Sequence, residues 1–103
     1  MLIKRPVDEL RKSEYVNLSE AARLLNVARS TLKSLALADL FPAHFPTASG
    51  RRYYRAAEVK RVLKFVEPLR ARGASLAFLR SELDGLAWYR TMRAEADPQR
   101  KAA

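Results

Sequence analysis

The chain has no cysteine and one histidine, His44, in 103 residues. Without thiols it forms no disulfide and needs no oxidising compartment. With one imidazole besides, it has no ligand set for a structural zinc. Glycine is scarce, at three residues, and no glycine-rich phosphate cradle occurs. No apolar run approaches the length that spans a bilayer. The opening residues Met1 to Pro6 lack the apolar stretch of a signal peptide, so the protein is expected to stay in the cytoplasm. Catalytic groupings are missing as well. A nucleophile needs a base and an orienting group within reach, and His44 lies in a proline-flanked stretch with no acidic residue near it in sequence. No cofactor, metal site or enzymatic activity is expected.

Acidic residues are few. Eleven Asp and Glu face twenty Lys and Arg, for a net charge of +9 and a pI near 10.5. In a small domain a pI above roughly 9 is the electrostatic footprint of a nucleic-acid binder. The bland alternative is charge that only keeps the protein soluble. An anionic membrane surface would need a basic amphipathic helix with bulky apolar residues opposite, and no segment has that form. The 49% hydrophobic content suits a single folded domain with one modest core.

Along the chain, residues 1–17 read as a charged N-terminal arm. Leu18-Ser19-Glu20-Ala21-Ala22-Arg23-Leu24-Leu25 opens the first helix, with Ser19 as N-cap and Ala21, Leu24 and Leu25 at the spacing of a buried stripe. Asn26-Val27-Ala28 breaks the pattern. A second short helix from about Arg29 to Ala38 turns Leu32, Leu35 and Ala36 inward and leaves Arg29, Ser30, Thr31, Lys33 and Ser34 outside. Phe41-Pro42, Phe45-Pro46 and Ser49-Gly50 are turn and extended signals. Arg51-Arg52-Tyr53-Tyr54 then reads as the return strand of a hairpin, with one tyrosine packed on the core. Helices are expected over about Ala56–Arg72, stopped by Gly73, then from Ser75 to about Leu83, and last over Leu86–Ala96.

The expected fold is therefore mainly α: a winged helix-turn-helix of four to five helices with a two-stranded β-hairpin wing. The wing domain spans 18–85, and a short C-terminal helix and charged tail occupy 86–103. Two short helices with a basic outer face on the second fit a helix in the major groove of double-stranded DNA. Arg29, Ser30, Thr31, Lys33 and Ser34 are the candidate groove residues; Arg51, Arg52, Tyr54 and Arg55 are the candidate backbone contacts. Near the C-terminus, Leu86, Trp88, Tyr89 and Met92 form an apolar cluster, read either as a self-association surface or as a segment that folds back to complete the core.

The stretch from Asn17 to Leu83 resembles the DNA-binding domain of MerR-type transcription regulators. The pieces that carry it are Leu18-Ser19-Glu20-Ala21-Ala22, Arg29-Ser30-Thr31-Leu32-Lys33, Leu40-Phe41-Pro42, Gly50-Arg51-Arg52-Tyr53-Tyr54 and Arg72-Gly73-Ala74-Ser75-Leu76. The resemblance implies a transcription regulator in which Arg52 and Tyr54 touch the DNA backbone and Arg29, Thr31 and Lys33 lie on the recognition helix. Three departures stand out. Ser34 and Leu35 replace the family's two aromatics, Asp39 replaces its glycine, and Lys33 replaces an arginine, losing bidentate reach. Residues 87–103 leave no room for the long pairing helix, so no small-molecule effector is expected, and DNA binding would be as a dimer or cooperative array. Short relatives include excisionases and phage packaging subunits, which makes an architectural DNA-binding role the alternative. A protein-binding adaptor that no longer binds DNA is the third.

Overall fold

The computed structural model describes residues 15–45 and 50–96. Five α-helices occur among them: α1 (Leu18–Leu25), α2 (Arg29–Leu37), α3 (Ala56–Ala71), α4 (Leu76–Asp84) and α5 (Ala87–Ala96). Most of the expected N-terminal arm, and the tail beyond Ala96, lie outside the described residues.

Local chemistry sets the helix starts. Asn17, rather than Ser19, caps α1: its Oδ1 accepts from the Glu20 N–H at 2.8 Å, and the Glu20 carboxylate accepts from the Asn17 N–H at 3.0 Å. This reciprocal capping box satisfies two amides that would otherwise face water alone. Ser75 caps α4 as expected, accepting from the Phe78 N–H.

The helix ends share one device. After α1, α2 and α3 the chain passes through a left-handed residue, Asn26 (φ 57°), Asp39 (φ 61°) and Gly73 (φ 90°) respectively. In each case that residue's N–H and the next one's reach back to close the last turn. The pairs are Asn26 to Arg23 and Val27 to Ala22, Asp39 to Ala36 and Leu40 to Leu35, Gly73 to Arg70 and Ala74 to Leu69. These are Schellman closures. α3 itself runs through Pro68 to Ala71.

One core joins all five helices. α1 buries Ala21 and Ala22 against α2 and α3, so its small side chains allow close approach; Leu24, expected inside, is 61% exposed. α2 buries Leu32, Leu35 and Ala36, and α3 buries Val59, Val62, Leu63 and Val66. In α4, Leu79 and Leu83 are fully buried while Leu76 is exposed. Full burial is worth about 1.5–3 kcal/mol for each large aliphatic side chain.

The expected two-stranded β-hairpin wing is not present: the described residues form no strand. Two isolated antiparallel bridges stand in its place, His44 with Tyr53 and Val16 with Tyr54. The His44–Tyr53 pair exchanges both backbone hydrogen bonds, at 2.8 and 2.9 Å. In an antiparallel ladder the next such pairs would be 42 with 55 and 46 with 51. Position 42 is a proline with no N–H to donate, and position 46 lies outside the described residues. Among the described residues the ladder is held to one rung.

α5 folds back on the body. Tyr89 is fully buried and its hydroxyl donates to the Leu40 carbonyl at 2.6 Å, while Arg93 donates to the same hydroxyl at 3.0 Å. Burial pushes the Tyr89 phenol above its ordinary pKa, against the opposing pull of Arg93, so the O–H stays intact to donate. Tyr89→Phe leaves the Leu40 carbonyl without that donor and should lower stability by about 1–3 kcal/mol, read as a lower urea midpoint with unchanged slope.

Asp39 is the second junction. Arg80 of α4 and Arg93 of α5 reach its carboxylate at 3.0 and 2.9 Å, and both also donate to its backbone carbonyl. Burial, the largest single influence, pushes the carboxyl pKa up, but the Arg80 hydrogen bond and the Arg93 charge outweigh it and hold it below its ordinary value. A lowered folded-state pKa means stability that is present above the unfolded value of about 3.9 and is lost as pH falls through the folded one. Wild type should therefore lose more stability than Asp39→Asn between neutral pH and pH ~3. The carboxylate is more than half exposed, so the difference should be modest, about 1 kcal/mol or less. Chemical denaturation at the two pH values measures it.

Candidate nucleic-acid interface

α2 stands on the body with its two sides sharply divided. Leu32, Leu35 and Ala36 are buried, while Arg29, Ser30, Lys33, Ser34 and Leu37 are exposed and Thr31 is half-buried. The spacing 30, 33, 34, 37 is one face over two helical turns. α1 and the turn Asn26–Ala28 hold α2 from behind, with Thr31 and Leu32 N–H groups bonded to the Ala28 carbonyl. No side chain caps the start of α2. Its first-turn amides and Arg29 thus give that end a positive potential suited to a phosphate.

Arg51 and Arg52 are exposed and lie just before the two bridged tyrosines. Tyr54, expected on the DNA backbone, is 5% exposed and meets Phe41 edge to face, with ring centroids 6.4 Å apart. Its ring belongs to the core and ties the arginine segment to the residues that follow α2. Arg55 lies over the Tyr15 ring at 5.4 Å and within 3.8 Å of Glu58, so its charge faces the body. Of the candidate contacts, Arg29, Lys33, Arg51 and Arg52 are thus exposed, whereas Tyr54 and Arg55 pack against the body.

The C-terminal cluster is likewise built into the fold. Tyr89 and Met92 are buried, Leu86 is half-buried, and Trp88 is half-buried beneath Arg61, whose guanidinium sits 4.3 Å from the ring centre.

Sequence reasoning missed a partner for His44. Its Nε2 lies 2.7 Å from Glu58 Oε1 in the first turn of α3, and both side chains are nearly buried. The Tyr15 ring packs edgewise on the imidazole, centroids 5.5 Å apart. The glutamate is fourteen residues away, so only the fold brings the two together. The pair pins the bridged segment to α3. Among the described residues no group of three or more His, Asp or Glu could hold a metal ion, and no helix is long and apolar enough to cross a membrane.

The model of a family described as a helix-turn-helix domain matches residues 15–67, about half of the chain. The matched span runs from the Val16 bridge through α1 and α2 into α3, and the chain belongs to that family of DNA-binding, typically non-enzymatic domains. No curated protein and no solved structure matches it.

His44→Ala should break the pin on the bridged segment. The expected result is faster amide hydrogen exchange at Tyr53 and Tyr54 and a stability loss of about 1–3 kcal/mol; unchanged exchange at both amides would show that the pair holds nothing.

Proposed function

We propose that this chain is a DNA-binding transcription regulator that lays the Arg29–Ser34 face of α2 in the major groove and sets Arg51 and Arg52 on the flanking phosphates. The observation that carries this reading is the division of α2: a fully apolar buried side and an exposed side of short donors and cations, on the second helix of a helix-turn-helix. The major groove of B-DNA admits one helix, and serine, lysine and arginine at helical spacing reach base edges and phosphates there. The net charge of +9 supplies the attraction that is independent of sequence. The likeness of α2 and the 50–54 segment to MerR-type domains favours the same assignment. A single domain of this size covers little groove, so useful specificity comes from two or more copies on adjoining sites.

The test is binding to DNA fragments across a salt series, with wild type beside Arg51→Ala/Arg52→Ala. Wild type should prefer some fragments over bulk DNA, and its log K should fall linearly with log salt. The double variant should bind more weakly on every fragment. Its slope should be shallower by about 0.9 for each phosphate that an arginine no longer neutralises. Lys33→Ala should instead blunt the preference between fragments. Binding that never exceeds bulk DNA, with both variants matching wild type, defeats the proposal.

A further inference from the structure

The exposed side of α2 is not wholly polar. Leu37, in its last turn, is 78% exposed, more than any other large apolar side chain among the described residues. Single exposed leucines are ordinary on protein surfaces, so exposure alone assigns nothing. Position does. Leu37 follows Ser30 by seven residues, two helical turns, and falls within about 20° of it around the axis. It therefore stands in the middle of the outward row, flanked by Lys33 and Ser34 and opposite the buried Leu32, Leu35 and Ala36.

A leucine there has no hydrogen bond to give a base or a phosphate. Facing water it gains nothing, and against most base edges it would strip polar atoms of their hydration. One group in the major groove suits it, the C5-methyl of thymine, the apolar element in the groove's pattern of donors and acceptors. Ser30 and Leu37 are about 10 Å apart along the helix axis. That is about three base steps at 3.4 Å each, so the two ends of the row meet different base pairs.

Resting on the proposed docking of α2, we infer that Leu37 is a specificity-determining residue that reads a thymine methyl about three base pairs from the step faced by Ser30. Lys33 and Ser34, on either side of it, contact the polar edges or phosphates between. The α2 face thus combines polar contacts at its start with apolar contact at its end.

Uracil lacks only the C5-methyl, so it isolates the contact. A duplex selected from a random pool by the wild-type chain is resynthesised with uracil in place of each thymine in turn. At one position the exchange should weaken wild-type binding by about fourfold, the value of one buried methyl. Leu37→Ala should bind the thymine and uracil duplexes equally at that position. Alanine is the best helix former and replaces an exposed side chain, so the variant keeps its fold, with circular dichroism as the control. A wild type that selects a sequence but ignores uracil everywhere overturns the inference and leaves the DNA-binding reading intact. Methyl dependence that persists in Leu37→Ala overturns it too, since another residue then reads the methyl. A wild type that selects no sequence overturns both readings.

Discussion

The left-handed turn at Asp39 is the constraint that organises the molecule. α2 has to stop there for Leu40 and Phe41 to drop into the core, where both are essentially buried. That conformation costs a residue with a Cβ roughly 1–2 kcal/mol, less when a short polar side chain can bond locally. Arg80 and Arg93 meet at this point from two other helices, each gripping both the carboxylate and the carbonyl. Tyr89 holds the next carbonyl, that of Leu40. The end of α2 is therefore fixed by α4 and α5, which lie outside the helix-turn-helix pair itself. Glycine would relieve the backbone but provide no anchor for the two arginines.

A similar constraint governs the turn before α2. Asn26 takes the left-handed position, another residue whose short amide tolerates it. The alanines of α1 let that helix lie close behind α2 and α3. Because close approach is made by small side chains, the larger Leu24 and Leu25 are left at the margin, where with Val27, Leu63 and Pro68 they edge a shallow groove rather than fill the centre.

Much of this architecture was legible in sequence, because helices announce themselves locally. The apolar spacing in α2 and α3, Ser75 before α4 and Gly73 after α3 each act over a few residues. The misses have physical causes. Asn17 outcompetes Ser19 because its partner Glu20 stands three residues on, which completes the reciprocal cap. The hairpin expectation fails because Arg51 to Tyr54 looks like a strand by itself, while Pro42, which limits it, acts only once the 44–53 register is known. The burial of the Tyr54 ring against Phe41 depends likewise on a contact between distant residues. His44 with Glu58 and Asp39 with Arg80 are separated by 14 and 41 residues, and no local pattern encodes such pairs. The exposed face of α2 was the most legible part of the site, since it is simply what remains when the buried stripe is assigned.

The arginine clasp also bears on how the charge is used. On the proposed docking of α2, an unpaired carboxylate at its end would repel the phosphates nearest to it. Arg80 and Arg93, within 3.0 Å of Asp39, offset that charge, although Arg80 also pairs with Asp84 at 3.0 Å. Their charge is engaged within the fold, as is much of that of Arg55 beside Glu58 and Arg61 over Trp88. The excess of +9 is a balance over the whole chain, whereas what an interface offers to phosphates depends on the cations that stand at it. Of the cations assigned to it from sequence, Arg29, Lys33, Arg51 and Arg52 are the ones that stand exposed. Sequence-independent affinity scales with phosphates neutralised, so the proposed docking draws on these cations rather than on the net charge. On the proposed docking, discrimination then rests on the short row of α2 together with the pairing of copies on adjoining sites.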